Sequence, residues 1–489
     1  MGAVDQSTMG GHLERYDVAV ARDPMAAFGL VREWMRTDWR ALFAELRAQR
    51  PIFVTPAFTV VTRFADVVEV LSREETFTVR AFGPRLDAAL GGPFMLGRDA
   101  TPMNWREKGL MQVMLAPQDA ADLRGLAGRI ADEALDAASR RGRIEAVGEL
   151  FRHVALRVCG EYFGFPGPTP ETLSRWTRAV ITDGFANFQG DPAIQAGSVR
   201  AGEEMMAYLH GRLAERRAAL EAGCEPPDDI FGRLIRTTLP AEVGVDDERL
   251  LINMAGLPLG FVESGPGAMV EAVEQLMLRP RVRAEASDAA ADPDPTRFDR
   301  YVWEALRFSP FFKLLPRLCE RDYVLAAGTP RRTVIPAGTF VLAAPASAMF
   351  DADVVEEPDD FRLDRPEHLQ LHFGHGHHAC LGVHPARVVI CEVVRRLFRR
   401  PGVRTLPPPE GAITRSHGIF PDRFVLGLGP DGSLSSDGHP GPDAAPDPNG
   451  NPSPNGSPNP NGSPGSDGNP GPDGNPGPDG NPGPDGKGA

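Results

Sequence analysis

Apolar residues recur with the spacing of amphipathic helices along most of the first 400 positions. This pattern predicts helices at Pro24–Arg50, Gln118–Arg140, Ile144–Phe163, Glu171–Phe188, Ala193–Ala222, Asp228–Thr237, Asp246–Leu278 and Val383–Arg399. Shorter apolar runs predict strands at Ile52–Val61, Arg317–Ala326, Arg332–Ala343 and Arg423–Leu428. Because these strands are grouped at the two ends of the helical region and do not alternate with helices, we predict an α+β fold that is mostly α-helical, with a small β-sheet region.

The predicted elements divide the chain into three parts. Residues 16–429 form one globular domain, which follows a flexible N-terminal segment, 1–15. Residues 430–489 consist mostly of Gly, Pro, Asn, Asp and Ser, and glycine occupies every third position from Gly462 to Gly486. So few apolar side chains cannot form a core, so we predict a disordered tail with a polyproline II bias. The collagen-like period leaves a short trimerising triple helix as the alternative.

Composition narrows the functional class. The 489-residue chain has a net charge of −14, which argues against a general nucleic-acid binder. Its 5 cysteines show no CxxC spacing, which favours a reducing compartment over a disulfide scaffold or a zinc ribbon. The N-terminus has no signal-peptide pattern, and no stretch of about 18 apolar residues occurs. We therefore expect a cytoplasmic protein without a membrane span.

One loop carries candidate chemistry. His372–Gly382 reads HFGHGHHACLG, a glycine-rich segment that presents Cys380 just before a predicted helix. A helix N-terminus and backbone amides stabilise a thiolate, so Cys380 is a candidate nucleophile or metal ligand. The sequence around it has no spacing typical of a catalytic triad, and the loop is unlike a zinc knuckle.

The segment FGHGHHACLG resembles the haem-binding loop of cytochromes P450, F-G-x-G-x-[HR]-x-C-x-G, at every fixed position. Upstream, Glu304-Ala305-Leu306-Arg307 matches the E-x-x-R helix of that family. A Pro-Arg strand, the turn Ile335–Gly338 and the segment Pro358–Phe361 follow in the expected order. The resemblance covers about residues 16–428 and implies the cytochrome P450 fold with haem b as cofactor.

The resemblance also implies roles for individual residues near the haem. Cys380 would be the proximal iron ligand, and Phe373 would pack beside its sulfur. His378, at the [HR] position, and Arg317, which opens a strand, would bind the haem propionates. Glu304 would pair with Arg307 one helical turn away, and both would hold the cysteine loop.

Two positions depart from the family pattern. The register of the helix that usually offers His and Arg to the propionates gives Asn104 and Lys108 here, and Trp105 or Arg106 could replace Asn104. Asp360 occupies the position where a third arginine usually joins the Glu–Arg pair. Arg362 or Arg365 could take its place.

The oxygen-activating helix of the family corresponds to Leu250–Met277. Its [AG]-G-x-[DE]-T pattern falls on Gly260–Ser264, with Phe261 in place of glycine and Ser264 in place of threonine. Pro266 cannot donate a hydrogen bond to the carbonyl of Val262, so we expect a kink there. The resemblance implies that Glu263 and Ser264 form a proton relay for O–O cleavage. Alternatively, Glu263 pairs with a surface cation and Ser264 caps the broken helix.

The resemblance implies a monooxygenase that inserts one atom of dioxygen into a hydrophobic or amphipathic small molecule. Because the chain has no flavin or iron–sulfur motif, electrons would come from a ferredoxin-type donor with its reductase. Arginines late in the helix after Cys380 would either dock that donor or oppose the helix dipole. The departures at Phe261, Ser264 and Gly265 motivate an alternative, a peroxygenase or hydroperoxide isomerase. A haem sensor is a third possibility, against which the acid–alcohol pair counts.

The candidate substrate contacts lie in three segments: Phe94 and Met95, Phe311–Leu314, and Phe420. They are mostly apolar, which indicates a hydrophobic or amphipathic substrate. Lys313 could meet a substrate carboxylate or point to solvent.

Overall fold

The computed structural model describes residues 10–187, 190–416 and 419–429. The α-helices are α1 (His12–Val20), α2 (Pro24–Thr37), α3 (Trp39–Gln49), α4 (Phe64–Leu71), α5 (Gly83–Leu90), α6 (Pro102–Met114), α7 (Ala120–Ser139), α8 (His153–Glu161), α9 (Pro170–Phe185), α10 (Pro192–Glu221), α11 (Ile230–Arg236), α12 (Asp247–Phe261), α13 (Ser264–Met277), α14 (Pro280–Ala291), α15 (Thr296–Phe308), α16 (Pro345–Ala348) and α17 (Val383–Phe398). A π-helix, Ala146–Arg152, precedes α8.

The strands are short: β1 (Ile52–Val54), β2 (Thr59–Val61), β3 (Phe77–Thr78), β4 (Arg143–Glu145), β5 (Leu315–Cys319), β6 (Tyr323–Leu325), β7 (Thr333–Ile335), β8 (Phe340–Ala343), β9 (Arg404–Thr405), β10 (Thr414–Ser416), β11 (Phe420–Arg423) and β12 (Val425–Gly427). The largest sheet has the order β1-β2-β8-β5-β3, and β2 and β8 are its parallel pair. A second sheet, β4-β12-β9, joins the C-terminal strand to the middle of the chain. The hairpins β6-β7 and β10-β11 complete the β structure, which confirms a mostly helical α+β fold.

Three predicted helices differ from the observed ones. The run 24–50 is two helices, because Asp38 leaves the helical conformation (φ −143°, ψ 38°). The run 246–278 is also two helices, α12 and α13, and the break falls at Val262 and Glu263 as expected before Pro266. The run 144–163 begins with β4 and the π-helix before α8.

Three of the four predicted strand runs are divided into two strands, and the run 423–428 corresponds mainly to β12. The run 52–61 is the antiparallel hairpin β1-β2, and the run 317–326 contains parts of β5 and β6. At the N-terminus, α1 begins at His12 and buries Leu13, so helix starts inside the segment that was predicted to be flexible. The predicted tail, 430–489, lies outside the described residues.

Helix α13 runs through the centre of the core. Nearly all of its side chains are buried, since α15, α17 and the π-helix pack around it. This explains why apolar residues cover most of its surface and do not form a stripe. Within the described ranges, no helix is both long and apolar enough to cross a membrane.

Candidate active site

The cysteine loop is a tight turn that places Cys380 at the start of α17. Gly374 and Gly376 have positive φ angles, 74° and 68°. A side chain at Gly376 would lie 2.5 Å from the backbone oxygen of Leu71, so only glycine lets the loop approach α4. The Cys380 amide donates to the carbonyl of Phe373 at 2.9 Å.

Cys380 borders a cavity of about 2160 Å³, a volume that includes its opening to solvent. The cysteine is exposed toward this space although protein atoms surround it. Burial raises the pKa of the Cys380 thiol, and the backbone of Gly382 and the charge of Lys108 act in the opposite direction. Phe373 lines the same cavity and packs on Trp303, with ring centroids 5.6 Å apart. The structure thus places Phe373 and Cys380 at the same cavity.

The E-x-x-R helix, α15, holds the segment that leads to this loop. Arg307 and Glu304 form two parallel hydrogen bonds of 2.8 and 3.0 Å, and both side chains are buried. Arg307 also donates to the carbonyls of Met349, Pro358 and Asp360. A buried guanidinium with all these acceptors fixes the backbone geometrically.

Arg365 is the third member of this cluster. Its Nε donates to Glu304 Oε1 at 3.1 Å, and its Nη atoms donate to three backbone carbonyls between residues 356 and 360. The side chain of Arg362 instead pairs with Glu357 and Asp364 near the surface. The structure therefore resolves the alternatives in favour of Arg365.

Arg317 is a buried cation beside the cavity. Its guanidinium donates to the carbonyl of Pro316 at 2.9 Å, and Nε has no hydrogen-bond partner. Burial lowers its pKa to about 10, against the weaker effect of Asp99. No carboxylate of the described residues forms a salt bridge with it. His378, which also lines the cavity, pairs with Asp99 at 2.9 Å.

Lys108 and Asn104, both predicted to contact the haem, donate hydrogen bonds to backbone carbonyls in the structure. Lys108 lines the cavity, but its ammonium donates to the carbonyls of His377 and Ala379 and so holds the cysteine loop. Burial lowers the pKa of Lys108. Asn104 does not reach the cavity, because its buried amide donates to Met95 and Arg98 carbonyls at 2.8 and 3.2 Å. The geometry therefore does not support a haem contact for Asn104.

The residues weighed as substitutes for Asn104 also lie away from the cavity. Trp105 is 59% exposed and packs on His377, with ring centroids 4.5 Å apart. Arg106 pairs with Glu107.

Glu263 and Ser264 line the cavity at the break between α12 and α13. The Ser264 hydroxyl donates to the Gly260 carbonyl. Glu263 is buried, and its Oε2 accepts from Arg178 at 2.7 Å and from Arg152 at 3.4 Å. Its Oε1 has no partner. The acid therefore does pair with cations, but it remains at the cavity beside the alcohol.

Arg152 and Arg178 are functional candidates that the sequence did not indicate. They line a second, open cleft together with Pro170, Ser174 and Arg175. Glu263 thus lines the main cavity, and its two arginine partners line the open cleft. Burial lowers the pKa of Arg178, but its ion pairs with Glu263 and Asp422 outweigh this and raise it. Arg178 and Arg152 precede Glu263 by 85 and 111 positions in the chain, and no sequence motif connects residues so far apart.

The comparisons with known proteins agree on one family. The family model "Cytochrome P450" matches residues 298–407. The chain is 29% identical to the mycinamicin IV hydroxylase/epoxidase of Micromonospora griseorubida, over 77% of this chain and 92% of that protein. It is 27% identical to the steroid C26-monooxygenase of Mycolicibacterium smegmatis, over 79% and 90%.

Solved structures share the fold. The crystal structure of CalO2 superposes with a TM-score of 0.69 at 22% identity, covering 81% of this chain and 98% of that one. Cytochrome P450 CYP109Q5 from Chondromyces apiculatus gives a TM-score of 0.67 at 23% identity, covering 81% and 96%. This chain belongs to the cytochrome P450 family. It is a haem-thiolate monooxygenase whose cofactor is haem b, as the sequence predicted.

The donor set of this P450 fits a haem. The cavity offers a thiol, at Cys380, and a buried guanidinium without a carboxylate, at Arg317, which match an iron and an anionic propionate. Cys159 and Cys391 are fully buried in helices, and burial raises the pKa of both thiols, as expected of structural cysteines.

The arginines in the last turn of α17 and directly after it mostly form internal ion pairs in this P450. Arg396 and Arg400 pair with Asp132 of α7, and Arg395 and Arg396 pair with the buried Glu392. Their charge is therefore largely neutralised, which weakens the case for a basic docking patch.

Lys313 does not line the cavity. Its ammonium contacts the Pro310 carbonyl at 3.4 Å and lies 5.6 Å from the centre of the Trp39 ring. The structure therefore gives it no place beside a substrate, unlike its neighbours Phe311 and Phe312.

Proposed function

We propose that Cys380 binds the haem iron as a thiolate, with Phe373 packed beside the sulfur and Arg317 and His378 at the propionates. The observation that carries this is the meeting of Cys380 and Arg317 in one cavity, although 62 residues separate them in the chain. A buried arginine without a carboxylate partner is costly unless an anion joins it. Lys108 supports the site indirectly, through the carbonyls of the cysteine loop.

Haem with a thiolate ligand supplies the activation of dioxygen. The protein's part in that chemistry is to deliver protons, to exclude bulk water and to orient the substrate. We infer that Glu263 exchanges protons with the cleft that Arg152 and Arg178 line, and that Ser264 passes them into the cavity. The freed carbonyl of Val262, opposite Pro266, gives a water molecule an acceptor at the same break.

The reaction we propose is insertion of one oxygen atom into a hydrophobic small molecule, as hydroxylation or epoxidation. The names of the similar proteins support this, since they are hydroxylases, epoxidases and monooxygenases. They give no support to the peroxide-using alternative. A separate ferredoxin-type protein, reduced by its reductase, remains our proposal for the electron donor.

The haem assignment is tested by spectroscopy of the carbon monoxide complex. Wild-type protein, reduced and treated with carbon monoxide, should show the red-shifted Soret band of a thiolate-ligated haem. Cys380→Ala should lose that band, and Cys319→Ala, which removes another thiol, should keep it. A thiolate spectrum in the Cys380→Ala protein would overturn the assignment.

A further inference from the structure

Two cavity-lining phenylalanines pack against glycines of the α12–α13 helix pair. A Cβ atom at Gly256 would lie 2.5 Å from Phe94 Cζ, and one at Gly267 would lie 2.1 Å from Phe311 Cε2. Both distances are far below van der Waals contact. Phe94 and Phe311 can therefore occupy these places only because the helix residues beneath them have no side chain.

These two rings lie on either side of the break in the helix pair. Gly256 is in α12 and Gly267 is in α13, and the break at Val262 and Glu263 falls between them in the chain. Glu263 and Ser264 line the cavity at this break, and Phe94 and Phe311 line the same cavity. The two rings therefore line the cavity before and after the candidate relay along the helix pair.

Further aromatic rings connect this space to the surface. Phe311 contacts Phe312 at 4.8 Å between ring centroids, and Phe312 lies 6.3 Å from Phe185. Phe185 stacks on Phe82, with centroids 5.9 Å apart and an interplanar angle of 17°. Phe185 and Phe312 are 36% and 39% exposed. The route from solvent to Ser264 is thus lined with phenylalanine.

Each charged side chain that lines the cavity already makes a polar contact within the protein. Lys108 donates to loop carbonyls, His378 pairs with Asp99, and Glu263 is held by two arginines. The proposed function assigns Arg317 to the haem. An ionised substrate would therefore lose its hydration and would have to compete with these existing contacts for a partner.

We propose that the substrate is a neutral aromatic molecule held between Phe94 and Phe311, and that Gly256 and Gly267 determine its shape by seating these rings. Ring edges and faces attract one another beyond their apolar area, so an aromatic guest gains more here than a saturated one. This inference rests on the proposed function, because that function assigns Cys380 and Arg317 of the same cavity to the haem.

The test uses haem-loaded protein that already shows the thiolate spectrum, so that a failure of the haem assignment is recognised first. Binding of naphthalene, decalin and 2-naphthoate is measured by calorimetry and by the Soret shift. Naphthalene should bind at least about threefold more tightly than decalin of similar size, and 2-naphthoate should bind more weakly than naphthalene. Equal affinity for decalin, or tighter binding of 2-naphthoate, would overturn the proposal.

Variants at Gly267 and Phe311 test whether this glycine positions the ring. Gly267→Ala should push Phe311 into the cavity and raise the Kd of naphthalene about tenfold. Gly125→Ala, in α7 with open space around its Cβ position, is the matched control and should leave the Kd unchanged. Phe311→Ala should remove the preference for naphthalene over decalin. The double variant Gly267→Ala/Phe311→Ala should bind naphthalene with the Kd of Phe311→Ala alone. If the preference survives in Phe311→Ala, or if Gly267→Ala binds naphthalene like wild type, the rings do not select the substrate. Phe311→Ala decides the matter should Gly267→Ala fail to fold.

Discussion

At the scale of single residues, Glu263 shows how a carboxylate is kept beside an apolar cavity. Removing it from water is costly, and the structure compensates with two guanidinium groups on its outer side. Arg178 is the nearer one, and it also pairs with Asp422 at 3.0 Å. The two arginines thus hold one oxygen of the carboxylate, and its unpartnered Oε1 is left for the proposed relay.

Removing Arg178 should impair the relay without unfolding the protein. In Arg178→Gln the buried carboxylate keeps only the longer contact to Arg152, so proton delivery should slow and product formation per electron should fall about tenfold. The measurement compares product formed with donor oxidised. Arg175→Gln, on the same helix and paired with the exposed Glu204, is the control and should behave like wild type. Unchanged coupling in Arg178→Gln would remove the cleft from the proton path.

His372 should make the protein lose stability in mild acid. Burial, with the nearby charges of Arg307 and Arg387, lowers its pKa from 6.5 to about 3. Below pH 6.5 the His372 imidazole is protonated in the unfolded chain but remains neutral in the folded chain. The free energy of unfolding therefore falls as the pH falls from 6.5 toward 3.

The size of this effect is measurable by denaturant unfolding. Between pH 7 and pH 5 His372 should cost about 2 kcal/mol of unfolding free energy. His372→Phe should show a correspondingly smaller loss over that range. His384→Phe, which changes an exposed histidine of α17, should retain the wild-type loss. An identical pH dependence in wild type and His372→Phe would contradict the prediction.

At the scale of elements, the cluster around α15 determines whether the cysteine loop forms. Arg365→Ala breaks a buried ion pair with Glu304 and releases three carbonyls, which should cost about 3–5 kcal/mol. Arg362→Ala removes only surface pairs and should cost much less. Unfolding midpoints and haem content of the two variants provide the comparison. Similar losses in both would show that Arg365 is not the third member of the cluster.

The sequence predicted the long helices well because their burial follows from local periodicity. The apolar pattern predicted α2 and α3 as one helix, and it predicted pairs of neighbouring strands as single strands. The reason is that an apolar pattern continues across a tight turn such as the one between β1 and β2. It also missed the short helices α4 and α5, whose 8 residues give too few repeats to establish a period.

The candidate site divides in the same way. The cysteine loop and the Glu304–Arg307 pair are local motifs, so the sequence located them directly. The family resemblance also placed Lys108 and Asn104 on a helix, α6, but it did not give their partners, which are backbone carbonyls that no side-chain pattern reveals. Arg152 and Arg178 meet Glu263 only through packing, so no motif could have found them.

At the scale of the whole molecule, the C-terminal strand closes the fold. Strand β12 pairs with β4 and with β9, so it joins the middle of the chain to the segment after α17. The amide of Leu428 donates to Gly142 and that of Gly429 to Pro401. The last described residue, Gly429, also accepts from Arg404 at 2.7 Å. The hydrogen bonding of the described fold therefore continues to Gly429.

A chain that ends at Gly429 should consequently bind haem and substrate like the full chain. Residues 430–489 offer almost no apolar side chains, so removing them takes away little buried surface, while every strand bond named above is kept. The carbon monoxide spectrum, the Kd of naphthalene and the thermal midpoint should all match those of the 489-residue protein. A chain that ends at Phe424 instead loses β12 and should bind little haem, which shows that the assay detects damage to the fold.

Sedimentation of both full-length and Gly429-terminated protein tests the collagen-like period separately. A change from trimer to monomer on removal of the tail would show that the glycine repeat assembles the protein, and a loss of haem would contradict the domain boundary.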